Sequence, residues 1–318
     1  MSFPEEYYNI YSLVINQKSK LHIKLSTIKL EVILKKKFAK WSYPTFLDFD
    51  SFKEKIKDET ITARIHMLSV AKRFLKYKGR EKTELYRLYK NEINELYGHH
   101  NVKREEQLKT NKELVNWMEY DEMKKLIMEH IPKYLMQPDF NYYRLRDLLI
   151  MSFYILQTPV RLTNLSEMKY IKKPEIELRH LPKEYNYITK EDNSYKIVYN
   201  VFKTVKFIGK VELYIKNQLL INLLDKYISI FFKDKDEGFI FTKLDLNSKL
   251  STVSLEQAIR KEGLKIFKKK NITLNLIRHS FFTSFFKKNP SIKEQRKIAF
   301  EAGHKFSPSM SLQYARID

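Results

Sequence analysis

The chain has 318 residues, and 60 Lys+Arg against 38 Asp+Glu leave a formal net charge of +22. That length suggests about two domains, and the basic excess argues against small neutral substrates and for a polyanion, nucleic acid above all. The absence of cysteine excludes disulfide scaffolds, Cys-ligated zinc and thiol catalysis, and permits a reducing intracellular site.

Residues 1–45 mix β-branched residues with a basic run, Lys35 to Lys37. A helix ending near Trp41 is expected, and the segment carries no assigned role. Ser42, Tyr43 and Pro44 form a natural break. From Asp50 the pattern is helical. SFKEKIK predicts a short helix, and 60–78 a longer one with Ile61, Ile65, Leu68, Ala71, Phe74 and Leu75 on one face. Arg64, Lys72, Arg73 and Lys76 fall elsewhere on its surface, and Gly79 is placed to end it. A third helix over 81–97 directs Leu85, Leu88, Tyr89, Ile93 and Leu96 inward. Residues 46–98 therefore read as a small helical module with basic outer faces. The polar stretch HHNVKREEQLKTNKE (99–113) reads as an interdomain linker, the alternative being a solvated helix or loop.

The second unit, 114–318, opens at Trp117. Helices are predicted over 120–130 and 141–157. Residues 175–215 turn β-rich, and SYKIVYNVFK followed by VKFIGKVELYI predicts a hairpin. Helices return at 217–232, 254–268, 274–288, 291–302 and 307–315. The fold class expected is mainly α, with two domains and a small antiparallel sheet in the larger one. The longest apolar run, about Leu148 to Leu156, is far short of the ~20 residues of a membrane span. The start, MSFPEEYYNIY, is no secretory signal. The six glycines are isolated and build no phosphate-cradling loop, and HExxH and GxSxG are absent. Richness in Lys, Ile, Tyr and Phe also fits an A/T-rich genome, which accounts for part of the charge without function.

Cleaving a phosphodiester with side chains alone sets clear demands. Charge gathers on the nonbridging oxygens and calls for fixed cationic donors, which arginine's planar fork supplies best. The leaving oxygen needs a proton, from Lys or His, and the attacking oxygen comes from water or a side chain such as Tyr. One ordered set answers these demands: Arg161 in LQTPVRLTNLSEMK, Lys203 in NVFKTVKFIGKVEL, Arg278 in TLNLIRHSFFTSFF, His304 in FEAGHKF, and Tyr314 ten residues later in SLQYARID. Each alone has an ordinary explanation as a surface, capping or packing residue. The weight lies in their order and spacing.

This set resembles the tyrosine recombinases, the integrases of phages, viruses and mobile elements together with chromosome-resolving recombinases. That family carries a TGxRxxE-like box, a hairpin lysine, an HxxRH box and a GH about ten residues before a nucleophilic tyrosine. The matching segments here are TPVRLTN, Lys203, NLIRH and GHKFSPSMSLQY, and the resemblance covers roughly 140–318. The module at 46–98 resembles the family's core-binding domain, without a signature of its own. The resemblance implies a site-specific recombinase or integrase, of viral or mobile-element type, that cuts and rejoins DNA through a 3′-phosphotyrosyl link. Neither metal, ATP nor cofactor is needed in that scheme. Tyr314 attacks, Lys203 protonates the departing 5′-oxygen, and Arg161 and Arg278 clamp the phosphate. His304 holds the phosphate or manages the tyrosine proton. The implied partners are double-stranded DNA and further copies of the chain, four on two duplexes, and the implied location is inside a cell wherever the target DNA lies.

Lys206 is the fallback for Lys203, and Lys210 shares the hairpin. The sequence departs from the family pattern at three positions: Asn275 replaces a customary His or Lys, Asn164 a Glu, and Pro159 a Gly. Asn275 cannot serve as a base but can hydrogen-bond a phosphoryl oxygen. His279, next to Arg278, is expected to point off that face and to hold its neighbours. The alternatives are a type IB topoisomerase with the same chemistry and a non-catalytic DNA-binding relative.

Overall fold

The computed structural model describes residues 47–77, 79–137, 141–173, 177, 180–243, 247–307 and 310–316. The segment 1–45, with its expected helix near Trp41, lies outside them. The chain divides into two compact units between Arg104 and Glu105.

The first unit contains α1 (Phe49–Lys55), α2 (Ile61–Tyr77) and α3 (Glu84–Glu105). Asp48 caps α1 by accepting from the Ser51 amide at 3.1 Å. Phe52, Ile65, Leu68, Ala71, Leu75, Tyr89, Ile93 and Leu96 form one buried cluster, the period-3.6 stripes of amphipathic helices. Tyr89 is its centre, edge-on to Phe49 and Phe52. Leu88, expected inside, is 38% exposed, because the α3 stripe runs through Leu85, Tyr89, Ile93 and Leu96 and leaves Leu88 on its rim. Buried Glu92 lies beside that stripe and is paired with Lys53 at 2.6 Å and Arg64 at 3.2 Å. α3 runs on to Glu105, so the first part of the expected linker is a solvated helix.

The second unit begins with α4 (Asn111–Asn116), α5 (Tyr120–Leu135), α6 (Tyr142–Ile155) and α7 (Leu162–Ser166). Then come β1 (Met168–Ile171), β2 (Asn186–Glu191), β3 (Ser194–Tyr199), α8 (Val205–Ile208) and β4 (Val211–Tyr214). The chain closes with α9 (Gln218–Phe231), β5 (Glu237–Phe239), α10 (Thr252–Phe267), α11 (Leu274–Lys287), α12 (Ile292–Glu301) and α13 (Met310–Tyr314). α6 is apolar around most of its girth, and Leu145 and Leu148 to Ile155 are buried. A helix of that kind belongs at the centre of a domain, and α5, α9, α10 and α11 pack against it.

The architecture is mainly α with one small sheet, as expected. The sheet has five strands in the order β4-β3-β2-β1-β5. β1 pairs with β2 in parallel, and the other neighbours are antiparallel. β1 and β5 escape sequence reading because strands of four and three residues give no periodicity to follow. The β3–β4 hairpin forms with Lys196 opposite Tyr214, but Val205 to Ile208, expected to be strand, coil into α8. Gly209 ends that turn at a φ of 73°. Among the described residues no helix is long and apolar enough to cross a membrane.

Candidate active site

α11 starts with Thr273, whose hydroxyl accepts from the Leu276 amide at 3.1 Å. One turn in, this places Arg278 on the buried face, 3% exposed. A buried guanidinium needs acceptors. Arg278 donates through Nη1 to the Pro159 carbonyl and through Nη2 to His304 Nε2. Burial lowers its pKa to about 10, opposed by nearby Tyr314 and reinforced by Arg161, so it stays cationic at neutral pH. No carboxylate pairs with it among the described residues.

His304 is put there by a helix stop. α12 ends at Glu301, Gly303 adopts a φ of 66°, and two amides turn back. Gly303 donates to the Phe300 carbonyl at 3.0 Å and His304 to the Ala299 carbonyl at 2.8 Å, the reverse-turn cap that favours glycine. A Cβ on Gly303 would stand 3.3 Å from the Phe202 ring. Thus the glycine is needed both for its backbone and for the hairpin loop that leans on it. Burial, then Arg278, Arg161 and Lys203, lower the His304 pKa to about 3. The ring is neutral. Since a guanidinium only donates, Nε2 must accept from Arg278, and the ring proton is assigned to Nδ1.

Arg161 caps α7, and its Nε is buried without a hydrogen-bond partner. The loop before it is tied to α12 by Thr158, which donates to Glu301 at 2.6 Å. Pro159, one of the departures from the family pattern, supplies the carbonyl that receives Arg278. Asn164, another, is buried, and its Oδ1 has no partner.

Lys203 is exposed on the loop between β3 and β4. Buried Phe202 and Thr204, which donates to the Gly303 carbonyl, flank it and pin the loop to the His304 turn. Lys203 is among the charges that lower the His304 pKa, after burial, Arg278 and Arg161. Lys210 is held by Glu212 at 2.7 Å. Lys206 and the 71%-exposed Phe207 stand on α8.

Tyr314, on α13, packs with its ring 4.8 Å from that of Phe282 and 5.7 Å from the Arg278 guanidinium. Its hydroxyl lies 3.2 Å from His304 Nε2 and 3.3 Å from Nδ1. Near-equal distances mean that it is not aligned with one ring nitrogen. Arg278, His304 and Tyr314 are therefore in direct contact, and Arg161 and Lys203 are close enough to bias the same imidazole. Asn275 is exposed in the first turn of α11 and makes no hydrogen bond among the described residues. It is not part of the contact cluster. His279 meets Tyr314 from its backbone side, its Nδ1 2.9 Å from the Tyr314 carbonyl.

Three supporting residues went unseen in the sequence. Asn186 on β2 is fully buried. Its amide nitrogen donates to the Asn164 carbonyl at 2.8 Å and the Val201 carbonyl at 3.1 Å. Its oxygen accepts from the Asn200 and Val201 amides, both at 2.7 Å. One side chain thus joins the helix behind Arg161 to the loop of Lys203. Glu301 and Gln107 are the others. All three act on groups remote in sequence, and no local pattern marked them. Among the described residues no cluster of three or more His, Asp or Glu side chains is placed to hold a metal ion.

No protein-family model and no curated relative matches the chain. Among solved structures it is similar to XerA recombinase, with 18% identity over 99% of this chain and 94% of that one, at a TM-score of 0.41. It is also similar to XerH site-specific recombinase bound to difH substrate in a pre-cleavage complex (17% identity, 96% of this chain and 85% of that one, TM-score 0.47). The post-cleavage complex of XerH with palindromic difH gives 15% identity, 94% and 84%, and 0.47.

Proposed function

We propose that the chain is a DNA strand transferase of the tyrosine recombinase type. The observation that carries this reading is the contact cluster: a tyrosine hydroxyl 3.2 Å from a neutral histidine that is itself held by a buried arginine, with a second arginine and a lysine acting on the same ring. A cluster this cationic suits an anion, and a tyrosine at its edge suits attack on phosphorus. Arg278 and Arg161 bind the nonbridging oxygens of the scissile phosphate and stabilise the charge that grows there. His304, with its proton on Nδ1, donates to the same phosphate or to the tyrosine oxygen. It is not the base in the observed arrangement.

The Tyr314 oxygen forms the new bond to phosphorus as the bond to the 5′-oxygen breaks. Lys203 gives that oxygen its proton, and the phenolic proton leaves to solvent. The ester count is conserved, so the reverse attack by a 5′-hydroxyl reseals the strand without ATP. The recognised partner is double-stranded DNA, and exchange between duplexes uses several copies of the chain. Cations on α2 and α3 support this: burial, then neighbouring Arg73 and Lys90, lower the Lys72 pKa.

The test is covalent capture. Wild type and Tyr314→Phe are mixed with a randomised pool of nicked duplexes, and denaturant-resistant adducts are enriched over successive rounds. Wild type should yield adducts; Tyr314→Phe should yield none while binding the same duplexes with near-equal affinity. Adducts from Tyr314→Phe would remove Tyr314 as nucleophile. Relaxation of supercoiled plasmid without partner exchange would move the reading to a topoisomerase.

A further inference from the structure

α13, which carries Tyr314, has five residues, too few to hold its shape alone. Its position comes from outside, and two of the outside groups lie in one short stretch, residues 107–113, just beyond the end of α3. The Gln107 amide nitrogen donates to the Ser311 carbonyl at 2.9 Å and the Ala315 carbonyl at 3.4 Å. These two acceptors bracket Tyr314. Gln107 is held at a φ of 54°, a left-handed conformation that L residues other than glycine, asparagine and aspartate seldom adopt.

The second group is Glu113. It completes a capping box with Thr110 at the start of α4, and its carboxylate lies 3.4 Å from Arg316 and 3.9 Å from His279. Arg316 donates to His279 Nε2 at 3.1 Å. That leaves the ring proton on Nδ1, which donates to the Tyr314 carbonyl. The Arg316 amide adds a bond to the Thr283 hydroxyl at 2.8 Å. The two ends of the tyrosine segment are thus each held by the stretch 107–113.

We infer that Gln107 is a positioning residue for Tyr314, and that with Glu113 it forms a latch that sets the nucleophile against His304 within its own chain. This rests on the reading of Tyr314 as nucleophile. Letting go of the latch frees α13 without disturbing the arginines.

Two variants separate a latch from a merely structural turn. Gln107→Gly fits the left-handed backbone and removes only the donor. Gln107→Glu keeps the shape and turns a donor toward two carbonyls into an acceptor. In full-length protein, both should slow single-turnover adduct formation with captured duplexes by about tenfold or more, since a misplaced nucleophile loses rate and not affinity. DNA affinity and melting temperature should stay unchanged, and amide exchange over 310–316 should quicken while that of α6 does not. A Gln107→Gly protein with wild-type rate and wild-type exchange would overturn the latch. If wild type itself forms no adduct, the strand-transfer reading fails. The latch is then decided by exchange alone, with unchanged protection over 310–316 in both variants overturning it.

Discussion

Glu92 in the first unit and Arg278 in the second both carry charge into the protein, and they are treated in opposite ways. Glu92 is 6% exposed and has two cations within 3.2 Å. Arg278 is 3% exposed and meets a carbonyl, an imidazole and a tyrosine ring, with two more cations near. Burial of a charge costs several kcal/mol unless a partner compensates it. In the first unit the compensation is internal, so the charge belongs to the fold. In the second only neutral acceptors, the Pro159 carbonyl and the His304 imidazole, meet the guanidinium, and no carboxylate pairs with it among the described residues.

The sharpest way to break this comparison is to remove each charge. Arg278→Met should lower covalent capture by about 10²–10³-fold, the effect of losing a preorganised donor, while leaving the melting temperature unchanged or higher. Glu92→Leu should do the reverse. It should cost about 1–3 kcal/mol in denaturant unfolding, because Lys53 and Arg64 both lose the carboxylate that pairs with them, and leave capture per folded molecule intact. A stabilising Glu92→Leu, or a strongly destabilising Arg278→Met, would erase the distinction.

Asn186 tests how the site is held. Asn186→Leu leaves two carbonyls and two amides unpaired in the interior and should cost about 2–4 kcal/mol. Asn186→Asp keeps the acceptor, loses both donors, and should cost roughly half as much. Capture should fall in both, through looser placement of Arg161 and Lys203.

A smaller effect is the pH dependence of stability. The His304 pKa is lowered from 6.5 to about 3, so the unfolded chain binds a proton in that window that the folded chain does not. Stability is therefore full above pH 6.5 and falls as pH drops toward 3. His279 and His130 are also lowered and slope the same way. The measurement is thus the difference between wild type and His304→Gln, which should lose that part of the slope. The smallest effect is expected at Lys72. Lys72→Ala should reduce the slope of log affinity against log salt by about one, with capture by bound protein unchanged.

The longer helices of both units were legible because burial imposes a 3.6-residue pattern on most of them, whereas α4 began in the expected linker and α8 fell in an expected strand. The candidate residues were legible because Arg161, Arg278, His304 and Tyr314 stand in a recognisable order with helical spacing between them. Gly303 before His304 carried a physical message as well, since a helix stop at a φ of 66° favours glycine. Asn275 shows the limit. Its place in the box invited a role, yet the side chain points to solvent and touches none of the cluster.

By itself the sequence determined the basic charge, the mainly α character, the helical periods and the types of reacting group. The fold, in turn, chose the Pro159 carbonyl as the acceptor that holds Arg278. It also decided that Asn186 and Gln107 brace the site. The physical reason is common to all three. Side-chain identity and spacing are written along the chain, whereas the partner of a hydrogen bond is a backbone group up to 208 residues away, and packing alone chooses which one it meets.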